Sequence, residues 1–227
     1  MSVNLYTFSY QNPGRRARME ERFKAEGLTL EFVEPVESTD SRIELAPPSQ
    51  KRTWAIMWNH LDMLKAFLES DAEFGIFTED DITIRRGLKA LLPELTAVYR
   101  RLNLEILLLG YLLNYQPVTT TVHPEFLGLE NYTYLNYNDS LWGSQMYLLD
   151  RKTAQRFLST YTVEYARNCE SNRQPYFSPD WTLTKVGRRA AIYPMLAVEE
   201  GQVATSHEGQ AAFHQQCRDA QMSSQYH

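Results

Sequence analysis

The chain has 227 residues, 43% hydrophobic and 22% charged, with a net charge of −5. That composition belongs to a globular chain able to form a core without disulfides or a structural metal, and it carries no basic bias toward nucleic acid. No apolar run is long enough to cross a bilayer, and Met1-Ser2-Val3-Asn4-Leu5 lacks the charged-then-apolar pattern of a secretion signal, so cytoplasmic residence is expected.

Val3–Phe8 is rich in β-branched and aromatic residues and reads as a strand. Asn12-Pro13-Gly14 signals a turn. Residues 15–26 then read as a helix with Met19 and Phe23 in its apolar stripe, stopped by Gly27. Residues 28–33 alternate as a second strand, so the chain opens with the strand–helix–strand pattern of a parallel sheet. Residues 34–50, rich in Pro, Ser and acidic side chains, read as loop. Trp54, Met57, Trp58, Leu61, Leu64 and Leu68 at three-and-four spacing predict a helix over 54–69. Phe74–Thr78 is the short apolar run of a buried central strand, and it ends at Glu79-Asp80-Asp81.

Ile82–Ile84 resumes extended structure, and residues 87–101 predict a helix that Pro93 must enter near its first turn or kink. Residues 104–109 read as another buried strand, 112–138 as loop or irregular hairpin, and 142–149 as a strand. Arg151–Thr160 reads as a helix with Ala154, Phe157 and Leu158 inward. A Pro-bounded loop over 176–180 precedes a short helix over 181–186 and a strand over 191–193 stopped by Pro194. The tail after Gly201 is polar and without strong periodicity. There is no internal repeat or linker, so one α/β domain over residues 1–227 is expected. Cys169 and Cys217 lack metal-site spacing; a reducing compartment favours free thiols over a single bridge.

The acidic triplet draws most of the chemical interest. Ligands of open α/β sheets bind outside the carboxyl ends of the strands, which is where Glu79-Asp80-Asp81 falls. Adjacent carboxylates repel unless a cation or donor array offsets them. On an extended chain Glu79 and Asp81 would share one side and Asp80 the other. Two carboxylates suit Mg²⁺ or Mn²⁺ that also takes diphosphate oxygens, with a Lewis-acid role toward a departing diphosphate. The bland alternative is a solvated acidic turn; the buried strand before it favours a site.

Other residues have two readings each. Arg15, Arg16 and Arg18 open a helix, where backbone N–H groups and guanidinium forks attract phosphate; Arg16 is the leading candidate, and a solvated basic face is the alternative. His60 is a packing residue or a support of the site. Asp180, between Pro179 and Trp181, is an N-cap or an acid–base carboxylate, with Asp139 as its competitor. Trp142 and Gln145 line a sugar site or belong to the core.

Several motifs in order resemble glycosyltransferase family 25, the group of lipooligosaccharide and collagen galactosyltransferases. They are Asn12-Pro13-Gly14-Arg15-Arg16, Asn59-His60, Glu79-Asp80-Asp81, Trp142-Gly143-Ser144-Gln145-Met146-Tyr147, Arg151-Lys152-Thr153-Ala154, Pro179-Asp180 and Tyr193-Pro194-Met195-Leu196. Asn59 departs from the family's Ser, Ile56 replaces a frequent Cys, and residues 103–139 align poorly. The resemblance implies a GT-A-like, Rossmann-like nucleotide-sugar-binding domain with a mixed, mainly parallel sheet flanked by helices. It implies inverting transfer of a hexose or deoxyhexose from a nucleotide sugar, a UDP-sugar foremost, to a glycan or glycoprotein acceptor. Glu79 and Asp81 would hold Mn²⁺ or Mg²⁺, with a C-terminal His, His207 ahead of His214, as third ligand. The nucleotide would lie near Thr7, Arg15 and Arg16. Asp80 would touch donor sugar or ribose and, with Asp180, serve catalysis. A metal-dependent phosphoesterase or nucleotidyltransferase, and a non-catalytic glycan-binding module, are the competing expectations.

Overall fold

A computed structural model describes residues 2–115, 132–171, 177–201 and 208–227. Nine strands are described: β1 (Val3–Phe8), β2 (Leu30–Val33), β3 (Phe74–Thr78), β4 (Ile82–Ile84), β5 (Ile106–Leu112), β6 (Thr133–Leu135), β7 (Trp142–Asp150), β8 (Arg189–Tyr193) and β9 (Ala197–Glu199). The described helices are α1 (Pro13–Ala25), α2 (Ser41–Glu44), α3 (Lys51–Glu69), α4 (Leu88–Arg101), α5 (Arg151–Thr160), α6 (Val163–Ser171), α7 (Pro179–Thr182) and α8 (Glu208–Gln221).

Seven strands form one sheet in the order β2-β1-β3-β7-β5-β8-β6, and β4 and β9 form a second, two-stranded sheet. β1, β2, β3, β5 and β8 point the same way, while β7 and β6 run against them. The architecture is therefore α/β with a mixed, mainly parallel central sheet flanked by helices, as expected. No helix among the described residues is long and apolar enough to cross a membrane.

The core explains why the sheet is stiff at its centre. Tyr6, Phe77 and Tyr147 stand in register on β1, β3 and β7. Their rings stack at 5.7 Å and 5.3 Å between centroids. Phe67 of α3 meets both Tyr6 and Phe77 edge-on. Each such aromatic pair adds about 0.5–1.5 kcal/mol beyond its buried area. Gly75 lies beneath this cluster, and a Cβ there would collide with the Phe77 ring. Phe74 points to the opposite face and packs edge-on against Tyr99 of α4. Helices thus cover both faces of the central strands.

Several elements differ from expectation. The 34–50 segment contains α2 and a 3₁₀ turn, Pro48–Gln50. Arg42 bonds both Asp40 and Asp62, and Asn59 Oδ1 accepts the Val36 N–H, so contacts to α3 order a stretch with little periodicity of its own. Pro93 sits inside α4 rather than in its first turn. α6 and β9 lie outside the expected elements, and the polar tail contains α8. Among the described side chains of α8 only Cys217 is deeply buried, which leaves a faint periodic signal. α7 starts at Pro179 with Ser178 as its cap residue, so Asp180 lies in the first turn and is not the N-cap. Cys169 and Cys217 are buried and not joined in a disulfide.

Arg151 joins two helices on one face of the sheet. Its guanidinium donates to the carbonyls of Ser70 (2.6 Å), Leu68 (2.8 Å) and Ala72 (3.2 Å) at the end of α3. Those carbonyls have no intrahelical partner, and the helix C-terminus favours a cation. Arg151→Ala is expected to cost about 2–4 kcal/mol in urea unfolding. Arg151→Lys should recover less than half of that, because an ammonium cannot reproduce the planar fork.

Candidate active site at the carboxyl edge of the sheet

β3 ends where Thr78 closes the apolar run. The next residues are pinned from two sides. Glu79 N–H donates to the Gln145 carbonyl at 3.0 Å, and the Asp81 carbonyl accepts from Glu200 N–H at 2.7 Å. The chain bends at Asp80 and Asp81 before entering β4, which pairs with β9. The bend interrupts the extended alternation; Asp81 is still the charge that most raises Glu79, but it does not face away from Asp80. Asp80 and Asp81 instead share one guanidinium: Arg15 Nη1 lies 3.2 Å from Asp80 Oδ1 and 3.3 Å from Asp81 Oδ2.

Each carboxylate has a different set of partners. Asp80 Oδ2 accepts from Ser9 Oγ at 2.6 Å, so both of its oxygens are engaged. Glu79 Oε1 accepts from Ser144 Oγ at 3.0 Å. Asp81 Oδ1 is buried with no hydrogen-bond partner among the described residues. Glu199 pairs with His214 Nδ1 at 2.5 Å. Glu200 is gripped by Arg18 through two bonds and by Arg22. Asp180 Oδ1 accepts the Gly143 N–H at 2.9 Å.

This crowding shows in the proton affinities. Burial, with the charges of Asp81 and Asp180, pushes Glu79 well above the usual carboxylate range. Burial and the Glu199 charge raise Asp81 to about 6 against the opposing pull of Arg15. Burial also raises Asp180, although the Gly143 N–H opposes it. Burial opposes ionisation of Glu200, but its hydrogen bonds to Arg18 and Arg22 hold it below its ordinary value. Burial disfavours charge on His214, yet the bond to Glu199 raises it on balance. The negative charge at the tip of β3 is under-compensated, the condition a cation relieves.

The donor set fits a hard divalent cation of a particular kind. Among the described residues no group of three or more His, Cys, Asp or Glu is placed to cage a metal by itself. Mg²⁺-type ions commonly take one or two carboxylates and complete their shell with phosphate oxygens and water. The partnerless Asp81 Oδ1 and the Glu79 carboxylate are oxygen donors suited to that arrangement.

The remaining candidates are scattered. Thr7 is fully buried, its hydroxyl donating to the Thr78 carbonyl at 2.9 Å, which leaves no side-chain group for a nucleotide. Arg16 pairs with Glu20 and lies over the Phe32 ring, so Arg15 rather than Arg16 meets the carboxylates. Arg15, Arg18 and Arg22 have the spacing of one helix face, and Arg16 falls off it. Gln145 is buried, its Oε1 partnerless among the described residues. Trp142 is 40% exposed and meets Trp181 edge-on. Lys185 Nζ lies over both indole rings. Asp139 is exposed and bonded to Arg189, while Asp180 lies inside the cluster. His207 lies outside the described residues; His214, the weaker candidate, is beside Glu199. Sequence reasoning missed Ser9, Glu199, Glu200 and Lys185. The Glu199-Glu200 pair, following the apolar Ala197-Val198, repeats in miniature the pattern that singled out Glu79.

No protein-family model matches the chain, and no curated protein matches it. Some solved structures do. A glycosyltransferase involved in glycosylation of the major capsid of PBCV-1 is 12% identical, with 93% of this chain and 99% of that one covered at a TM-score of 0.44. S. aureus TarS 1–349 is 13% identical over 88% of this chain and 61% of its own, with a TM-score of 0.40. Mannose-1-phosphate geranyltransferase from Thermus thermophilus is 10% identical over 85% and 74%, with a TM-score of 0.40. Likeness this distant bears on neither family nor chemistry.

His60 supplies a pH test of the site's inner wall. It is fully buried, bonded through Nδ1 to Tyr147 Oη at 3.0 Å, with Nε2 3.9 Å from Glu79 Oε1. Burial lowers its pKa to about 3, so the native ring stays neutral. The unfolded ring protonates near its ordinary 6.5, so stability is lost as pH falls below that value. Asp81 and Glu79, with raised values, act in the opposite sense. The contribution of His60 is therefore read by difference. Between pH 6 and 5, His60→Gln should lose about 1 kcal/mol per pH unit less than the parent, measured by urea unfolding.

Proposed function

We propose that this chain is a metal-dependent glycosyltransferase. It moves a hexose or deoxyhexose from a nucleoside-diphosphate sugar, a UDP-sugar foremost, to a glycan or glycoprotein acceptor. The observation that carries this reading is the buried, partnerless Oδ1 of Asp81, set among carboxylates of raised proton affinity at the carboxyl edge of a mainly parallel sheet. The ordered motifs that resemble those of family 25 support the same reading.

In this reading Asp81 and Glu79 hold Mn²⁺ or Mg²⁺. When bound, the ion offsets negative charge on the departing diphosphate. Ser9 and Arg15 fix Asp80, presenting it to hydroxyls of the donor sugar or ribose. An acceptor oxygen forms its bond to the anomeric carbon as the bond to the diphosphate oxygen breaks. Asp180 takes the proton that the acceptor hydroxyl gives up; its raised affinity suits a base working near neutral pH. Ser144 keeps the Glu79 carboxylate in place from the protein side.

A melting-temperature screen of UDP, GDP and CMP, each with Mn²⁺, Mg²⁺ or EDTA, tests the reading. UDP with either metal should raise the melting temperature by roughly 5–10 °C at a hundredfold excess over Kd, and the other combinations by little. No shift with any nucleotide would remove the donor site. Asp81→Asn should abolish the metal-dependent part. The same variant, measured without metal, should be more stable than the parent by on the order of 1 kcal/mol, because it removes a buried charge whose pKa is raised. A metal-free Asp81→Asn protein that is less stable than the parent would contradict the electrostatic account.

A further inference from the structure

A cleft of about 420 Å³ is walled by the end of β5, by β6, by the segment entering β7, and by Phe213 of α8, next in sequence to the His214 that pairs with Glu199. We propose that it is the acceptor subsite and that it takes an uncharged saccharide; this rests on the glycosyltransferase reading above and narrows it to a class of acceptor.

Three consecutive residues tie the cleft to the chemistry. Trp142 lines it, Gly143 N–H holds Asp180 at 2.9 Å, and Ser144 holds Glu79 at 3.0 Å. Successive strand residues are about 3.3 Å apart, so the backbone that presents Trp142 to the cleft holds Asp180 one residue further on. Gly143 is required in this link: its φ is +108°, and a Cβ there would collide with Gln145 Oε1 and with Leu112 N.

The lining chemistry selects the occupant. No charged side chain and no His lines the cleft among the described residues. Among the described lining residues phosphate, carboxylate and ammonium groups would therefore meet no direct counter-charge, the cations Lys185 and Arg189 lying against the Trp142 and Tyr137 rings rather than in the lining. Aromatic surface is plentiful: Trp142 is 40% and Tyr115 61% exposed, with Tyr137 between β6 and β7. Tyr137 Oη is already used on the Thr184 carbonyl at 2.5 Å, so this residue offers the ring face that Arg189 does not cover. Lys185 and Trp181 hold Trp142 in position. The Asn114 and Asn136 amides are exposed at the rim, each with donor and acceptor atoms. Flat rings beside neutral amides match the apolar face and the hydroxyls of a neutral sugar. The volume lies in the range of small-ligand clefts.

The test is saturation-transfer NMR with lactose, cellobiose and maltose as neutral probes and sialyllactose and a glucuronide disaccharide as acidic ones, each with and without UDP and Mn²⁺. At least one neutral disaccharide should receive saturation, and the acidic ones little. Trp142→Ala should weaken that binding at least tenfold, Trp142→Phe should restore part of it, and Asn136→Ala should weaken it severalfold. The subsite is overturned if no neutral probe binds while UDP with Mn²⁺ still raises the melting temperature. It is equally overturned if acidic probes bind as well as neutral ones, or if folded Trp142→Ala and Asn136→Ala proteins bind like the parent. Neutral-saccharide binding lost with Trp142, in a protein that UDP never stabilises, would sustain the subsite and refute the transferase reading.

Discussion

Like charges gathered at the carboxyl edge of the sheet set the terms for the rest of this structure. Glu79, Asp81 and Asp180 are each displaced toward the protonated form, with burial as the leading cause. Left to itself, such a cluster would splay into solvent. It is kept together by backbone bonds on both sides of the β3–β4 bend and by the single Arg15 that bridges Asp80 and Asp81. The strain is local, and functional sites are where proteins tolerate it.

The frame that resists this repulsion is aromatic and apolar. The Tyr6–Phe77–Tyr147 stack lies one layer below the carboxylates and joins three adjacent strands. His60 continues that layer upward, stacking on Tyr147 and facing Glu79 through Nε2. Arg151 locks the end of α3, which carries both Phe67 and His60. A chain of contacts therefore runs from the helix end through the core to the site, and its stiffness limits how far the carboxylates can relax.

β7 decides the layout of the functional edge. Because it runs against β3 and β5, its first residues arrive where its neighbours finish. That reversal sets Gly143, Ser144 and Gln145 beside Glu79 and leaves Trp142 on the cleft. In the proposed reaction the donor lies on the Ser9–Arg15 side and the acceptor on the Trp142 side, with Asp180 between them. The two proposed binding regions differ in kind: one is crowded with charge, the other is lined, among the described residues, by aromatic and neutral side chains.

The sequence alone determined the elements whose signal is local. Val3–Phe8, Phe74–Thr78, Ile82–Ile84 and Arg151–Thr160 have the bounds their apolar periodicity and turn residues implied, and the acidic triplet stands at the end of its strand. Whatever depends on contacts distant in the chain was left to the tertiary structure. The rotation of α1, fixed by packing, turns Arg15 to the carboxylates and Arg16 onto Phe32. The pairing of β9 with β4 brings Glu199 and Glu200 to Asp81 across more than a hundred residues. α2 and α8 carry too few buried side chains to announce themselves and are ordered by partners elsewhere. Periodicity along the chain encodes which face of an element is buried, but the neighbour that a given side chain meets is set by the fold as a whole.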